Sequence, residues 1–350
     1  MRAGGWAAWR HRAVWWLWEG DDLVAQLIRA ALLPAALLFR AASRLRVAAY
    51  RRGWLAVQRL PLPAVVVGNL SVGGTGKTPL AAWIAEFYAQ RGRKPAILLR
   101  GYGRDEPLVH AARVPAALVV ADADRLAAAR RAQAAGAEVL VLDDAFQHLG
   151  VSRELNIAVV SAESVAAAPW PLPAGPWREG WEALGRADRI VVTRKRASAE
   201  RASGLAARLA RRWPAIPVSV AYLGLDHLRG MQSGRRHSPA ALAGRRVVAA
   251  AGIADPESYA AQLRAAGATV QLLAYQDHHP YGARDVERLV RAQAEADYVV
   301  VTEKDAVKLR EQWPAERAEP LVAVLALTWE LNAEAIESAL QTVLAPGARH

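Results

Sequence analysis

The sequence predicts an α/β protein of the P-loop NTPase type: a doubly wound parallel sheet, a second, smaller C-terminal α/β domain and an N-terminal amphipathic helix. Three observations carry that prediction. Short apolar runs rich in valine and alanine alternate with segments of helical spacing. A glycine-rich loop ending in Gly76-Lys77-Thr78 joins the first of those runs to the first of those helices. The alternation lapses after Arg194 and restarts at Val247. The organisation read from this is an N-terminal helical segment over 1–55, a nucleotide-binding core over 56–235 and the smaller α/β domain over 236–350.

Composition narrows the function classes. The 350 residues are 53% hydrophobic and 22% charged, enough for a sizeable core and too apolar for wholesale disorder. There is no cysteine, which excludes disulfide scaffolds, cysteine-ligated metal centres and a thiol nucleophile. The net charge is +12, carried by five lysines and forty arginines. That balance suggests an anionic partner: nucleic acid, a phospholipid surface or a phosphorylated substrate.

The N-terminus holds Trp6, Trp9, Trp15, Trp16 and Trp18 among Arg2, Arg10 and Arg12. No uninterrupted apolar region leads to a small-residue cleavage site, so this is not a secretory signal. Leu23 to Ala42 is apolar but carries Gln26, Arg29, Pro34 and Arg40. Its longest uncharged run, Ala30 to Phe39, falls short of the roughly 20 residues a spanning helix needs. Gln26, Arg29, Arg40, Ser43 and Arg44 share an arc of about 100°. Arg46, Arg51 and Arg52 follow. The pattern predicts a helix lying on an anionic membrane surface, with tryptophans at headgroup depth.

After Pro61 and Pro63, Ala64–Val67 reads as a buried strand, 68–76 as a loop and Thr78–Gln90 as a helix. Ala96–Leu99 is a strand, Asp124–Ala135 a helix closed by Gly136, and Glu138–Leu142 a strand. Ile157–Val160 and Arg189–Thr193 are further strands. From Arg194 to Arg246 the chain reads as looser. Strands are then expected over Val247–Ala251, Thr269–Ala274, Tyr298–Thr302 and Leu321–Ala326, with helices over Pro256–Ala266 and Ala283–Ala294.

The strongest chemistry lies in Ser71, Val72, Gly73, Gly74, Thr75, Gly76, Lys77 and Thr78. Glycines let backbone N–H groups turn inward around phosphate oxygens, and the following helix end adds partial positive charge. Lys77 would reach the β- and γ-phosphates of a bound nucleotide, and the Thr78 hydroxyl would bind Mg²⁺. Serine stands at 71 where the strict pattern has glycine. The strand Val139–Leu142 runs into Asp143-Asp144, where a carboxylate can hold Mg²⁺ directly or through water. Gln147 and His148 follow and are candidates for the same crevice at the strand ends.

Together these blocks resemble the tetraacyldisaccharide 4′-kinase family. The resemblance is carried by Val67–Pro79, by Arg100-Gly101-Tyr102-Gly103 and by Asp105-Glu106-Pro107. Asp143–His148, Leu172–Glu179, Asp277-His278-His279-Pro280-Tyr281 and Thr302–Lys308 continue it in family order over nearly the whole chain. It implies transfer of the ATP γ-phosphate to the 4′-hydroxyl of tetraacyldisaccharide 1-phosphate, in lipid A biosynthesis. It implies a peripheral protein on the cytoplasmic face of the bacterial inner membrane, with a cleft between two domains. It makes Asp105 the catalytic base and His278 its partner, and places Glu106 and Glu179 with Asp143 and Asp144 in the metal and active-site region. A sugar hydroxyl is a weak nucleophile and needs such a base. Two departures stand out: only Arg104 separates two blocks that the family spaces further apart, and Ala145 occupies a usual glycine position.

Two other classes compete. A P-loop GTPase or metal-insertion ATPase would read its base with Asn/Thr-Lys-x-Asp, and Thr193-Arg194-Lys195-Arg196 lacks the aspartate. A nucleic-acid ATPase fits the charge, but no base-stacking or groove-reading module is visible. The expected partners are therefore the lipid disaccharide and the membrane, with no nucleic acid and no protein partner.

Overall fold

A computed structural model describes residues 13–14, 16–18, 20–101, 105–163 and 170–345. Trp6, Trp9, Trp15, Arg2, Arg10, Arg12, and Tyr102 to Arg104 lie outside the described residues. The chain divides into two compact units. The first takes in the chain up to Gly101, Val114–Ala221 and the segment from Trp329 onward; the second takes in the helix that starts at Asp105 together with Tyr222–Thr328. The sequence reading sets the corresponding boundary at 235/236; the units part at 221/222, and the C-terminal segment returns to the first.

The first unit opens with helix α1, Leu23–Arg51, capped by the Asp22 carboxylate, which accepts from the Ala25 N–H. Pro34 lies inside α1 without ending it, so the helix is longer than the uncharged run suggests. By length and composition alone α1 could cross a membrane, which Ala30–Phe39 by itself could not. The sheet is β1 (Ala64–Asn69), β2 (Pro95–Leu99), β3 (Leu118–Ala121), β4 (Val139–Asp143), β5 (Leu155–Ser161) and β6 (Arg189–Arg194). Their order is β6-β5-β1-β4-β2-β3, and every pair is parallel. All of these but β3 are largely buried on both faces and read as near-continuous apolar runs, which makes them legible; β3 is only half-buried and is absent from the sequence reading.

Helix α2 (Lys77–Ala89) follows β1, and α4 (Arg125–Ala134) follows β3. Ala128, Ala129 and Ala132 of α4 meet Val66, Leu98, Leu140 and Leu142. Alanine at these positions lets the helix approach the sheet closely. The stretch read as loose contains α5 (Ala199–Arg212) and β7 (Val218–Gly230). Ser198 caps α5 by accepting from the Arg201 N–H. Its buried residues Ala202, Leu205, Ala206 and Leu209 keep helical spacing beneath a surface crowded with arginine, which hid the pattern.

In the second unit, β9 (Arg246–Ala251), β10 (Thr269–Ala274), β11 (Tyr298–Thr302) and β12 (Leu321–Leu331, which belongs to this unit up to Thr328) run parallel in the order β10-β9-β11-β12. The short β8 (Arg236–His237) pairs antiparallel with β7. Helix α6 (Pro256–Ala265) covers Val247, Ala249 and Ala251 with Tyr259 and Leu263. Helix α7 (Ala283–Gln293) covers Val248 and Ala250 with Val286 and Leu289. Alternate β9 residues thus feed opposite faces, as a strand's two-residue period requires. Two short helices complete the unit: α3 (Asp105–Arg113) and α8 (Glu303–Leu309). Helix α9 (Ala333–Val343) belongs to the first unit, where the Tyr88 hydroxyl donates to the Leu340 carbonyl at 2.9 Å.

Leu205 is 3% exposed and packs with Ile190 and Val192. Leu205→Ala is expected to destabilise the protein by about 2–5 kcal/mol in urea unfolding, the usual cost of a core leucine truncation.

Candidate active site

Register creates the first half of the site. Val67 pairs with Asp143 across β1 and β4, so the loop leaving β1 starts beside the end of β4. The Ala145 N–H donates to the Val67 carbonyl at 3.1 Å and extends that alignment. Gly73 at φ 119° and Gly76 at φ 89° take backbone conformations that side chains disfavour. Ser71 is not among the left-handed residues, so serine is accommodated where the strict pattern has glycine.

The loop is braced from several directions. Asn69 Nδ2 donates to Thr75 Oγ1 at 2.8 Å, and Thr193 Oγ1 donates to the Thr75 carbonyl at 2.7 Å. Lys195 Nζ donates to the Gly74 carbonyl at 2.9 Å, and the Val72 N–H donates to the Pro176 carbonyl at 2.8 Å. The Thr193-Arg194-Lys195 segment, considered above as a base-reading element, thus holds the phosphate loop. Glu163 holds that segment in turn, accepting from the backbone N–H groups of Lys195, Arg196 and Ala197. Helix α2 starts at Lys77 with no side-chain cap, which directs its first N–H groups and its dipole toward the loop.

Lys77 Nζ lies 3.7 Å from Asp144 Oδ1. Asp143 is buried at the end of β4, and Asp144 turns the chain with φ 53°. Arg178 Nη1 donates to both Asp144 oxygens at 3.0 and 3.1 Å. The left-handed residue is therefore Asp144, and Ala145 carries no such strain. Thr78, Asp143 and Asp144 are hard oxygen donors of one unit and suit Mg²⁺. Glu106 belongs to the other unit, where it faces Lys304 at 3.8 Å.

Gln147 Nε2 donates to the Asn69 carbonyl at 2.7 Å, tying the residues after β4 to the end of β1. Burial, reinforced by Arg125, pulls the His148 imidazole down to about 4, so it is neutral at pH 7. Glu179 pairs with Arg186 at 2.6 Å, and its N–H reaches the Leu70 carbonyl at 3.3 Å. Nearby, a cavity of about 470 Å³ is lined by Arg40, Arg44 and Arg51 of α1 and by Arg178, Glu179 and Arg186. Arg40 donates to Glu182 at 2.9 Å, and Arg44 pairs with the same carboxylate.

The second unit builds a different constellation. Asp105 opens α3 and is 4% exposed. His278 Nδ1 lies 3.0 and 2.9 Å from its two oxygens, and Lys308 Nζ lies 3.0 Å from Oδ2. Burial alone would raise the Asp105 carboxyl; His278 and Lys308 outweigh it and hold the group well below the usual carboxylate range. The hydrogen bond to Asp105 raises His278 above its ordinary value, against burial. The imidazole side chain is 42% exposed. His279 is engaged elsewhere, with Nε2 3.0 Å from Asp285 Oδ2 and its ring against Tyr275 and Tyr281.

Lys304 and Lys308 were not singled out by sequence. The signal was present: two of only five lysines stand four apart, on one face of α8, opposite the consecutive acids Asp105 and Glu106. Asp105, the base that the resemblance implies, is the buried first residue of a helix.

A parallel sheet with a braced phosphate loop, followed at the adjacent strand end by an acidic pair, defines a P-loop nucleotide-binding protein of the α/β class. A profile of the tetraacyldisaccharide-1-P 4′-kinase family matches residues 28–105 and 104–345, two segments that meet at the shortened spacing beside Arg104. The chain belongs to that family. A tetraacyldisaccharide 4′-kinase of Geobacter metallireducens is 39% identical over 83% of this chain and 90% of its own length. One of Anaeromyxobacter dehalogenans is 38% identical over 95% of both chains. The crystal structure of the "apo" form of LpxK from Aquifex aeolicus in complex with ATP superposes with TM-score 0.71. It is 24% identical and is covered over its whole length by 91% of this chain.

Because His278 binds a proton more tightly when folded, its ion pair contributes stability fully below the unfolded value of about 6.5 and loses it as pH rises through the folded value. The difference in melting temperature between wild type and His278→Gln is therefore expected to be larger near pH ~6 than near pH ~9. An unchanged difference would count against the ion pair.

Proposed function

We propose that the chain carries out its family's reaction through two sets of residues. The first unit's loop, Ser71 to Thr78, binds ATP, with Lys77 on the β- and γ-phosphates. Thr78, Asp143 and Asp144 would hold Mg²⁺, which when bound supplies charge neutralisation at those phosphates. The 4′-hydroxyl of tetraacyldisaccharide 1-phosphate attacks the γ-phosphorus, the bond to the ADP oxygen breaks, and the hydroxyl proton passes to the Asp105–His278 pair.

The observation that carries the second half is the engagement of Asp105 by His278 and Lys308. A carboxylate held by a lysine ammonium and by an imidazole N–H is a weak base. The reading from sequence made Asp105 the base and His278 its support; the hydrogen bonds and charge that His278 and Lys308 bring to Asp105 favour the reverse division, against burial. Asp105 holds the Nδ1–H of the neutral imidazole, and Nε2, 3.9 Å from Asp277 Oδ1, accepts the proton. Lys308 keeps Asp105 ionised.

Helix α1 supports action at a membrane. Its polar stripe faces the protein: Arg29 donates to the Trp18 and Gly20 carbonyls, and Arg40 and Arg44 engage Glu182. Its apolar face is open, with Leu27, Leu37 and Leu38 exposed by 61, 61 and 72%. An apolar face of that extent is a membrane-contact signature. ATP supply argues for the cytoplasmic side of the inner membrane. The arginine-lined cavity beside α1 suits an acidic lipid headgroup. No nucleic acid and no protein partner enter this reading.

The test is phosphate transfer from labelled ATP to tetraacyldisaccharide 1-phosphate in detergent micelles. Lys77→Ala is expected to lose both ATP binding and transfer. Asp105→Ala and His278→Ala should retain ATP binding and lose transfer by roughly 10²-fold or more, the scale of a lost general base. In wild type, transfer should rise with pH as His278 deprotonates, with a midpoint above the ordinary value of about 6.5. Tight ATP binding without lipid phosphorylation by the wild type would defeat the substrate assignment.

A further inference from the structure

His278 has φ 59°, a left-handed backbone that a residue with a side chain seldom adopts. That conformation has to be held by its surroundings. Its N–H donates to the Gly252 carbonyl at 3.1 Å. Gly252, just past β9, donates its own N–H to Asp305 Oδ2 at 3.0 Å. Thr302 Oγ1 donates to the same oxygen at 2.6 Å and accepts from the Asp305 N–H at 3.2 Å.

The arrangement departs from ordinary helix capping. Thr302 is the N-cap of α8 and Asp305 its third residue. In a capping box that acid turns back onto the cap's own amide. Asp305 gives its oxygen to a different strand end instead. It is 0% exposed, and burial pushes its carboxyl up. A Cβ added at Gly252 would stand 2.8 Å from Asp305 Oδ1 and 3.1 Å from the Gln276 carbonyl, so the close approach requires glycine.

We infer that Asp305 is a positioning residue: through Gly252 it fixes the backbone of His278 and so sets the imidazole on Asp105. The inference rests on the proton-transfer reading above. Helix α8 then positions both partners of Asp105, Lys308 by direct contact and His278 through the Asp305–Gly252 link.

The experiment is a double-mutant cycle on the full chain with the lipid kinase assay. Asp305→Ala should lower kcat on the order of 10–100-fold, with KM for ATP within about two-fold, as misplacement of a catalytic group does. In the His278→Ala background the same substitution should cost less than about two-fold more, since its route of action is already gone. Asp305→Asn keeps a carbonyl acceptor for Gly252 and Thr302, and should stay within about three-fold of wild type, because one such hydrogen bond is the asset at stake. Should Asp305→Ala fail to fold, Gly252→Ala serves in its place and should reproduce the kcat loss. A loss that multiplies fully onto that of His278→Ala overturns this inference alone, as does full activity in both Asp305→Ala and Gly252→Ala. Full activity in His278→Ala overturns the proton-transfer reading itself, and the inference with it.

Discussion

The parallel alignment of β1 and β4 is the constraint on which the nucleotide-binding half rests. Parallel neighbours end at the same edge of a sheet, so their following loops must share space there. With Val67 opposite Asp143, the phosphate loop and the acidic pair are brought side by side before any side chain makes a contact. Thr193, Lys195 and Gln147 then hold the backbone around that edge, and Asn69 holds the Thr75 hydroxyl. The loop's glycines supply conformational freedom, and these polar side chains select one conformation from it.

Charge does comparable work in the second unit. A buried carboxylate is costly unless its oxygens are satisfied. Asp105 is satisfied by His278 and Lys308, and the pairing acts in both directions: it keeps Asp105 ionised and raises the affinity of His278 for a proton. Two carboxylates of this unit have opposite fates for this reason. Asp105 meets two cationic groups and is held low. Asp305 is enclosed with a hydroxyl and a backbone amide as its closest hydrogen-bond partners, and is pushed up.

Helix α1 inverts the usual arrangement of an amphipathic helix in a soluble protein. Arg29, Arg40 and Arg44 engage carbonyls and Glu182, and Leu27, Leu37 and Leu38 are exposed. Such a helix gains little from the hydrophobic effect in water. Polar contacts seat it on the protein, which leaves the apolar face available to lipid.

Much of this was determined by the sequence itself. Valine- and alanine-rich strands, the Gly76-Lys77-Thr78 turn and the Asp143-Asp144 strand end are local patterns, dictated by backbone geometry and by burial on both faces of a sheet. Helix α5 and strand β7 were equally local, but arginines and serines masked their apolar positions. Tertiary structure alone decided what lies far apart in the chain. The Asp105–His278 contact spans 173 positions, and only packing of α3 beside α8 and the 276–281 turn makes Asp105 buried and charged. The same holds for the direction α1 faces and for the assignment of α3 to the second unit. Periodicity reports which face of an element is apolar; what that face meets depends on the three-dimensional arrangement of the elements around it.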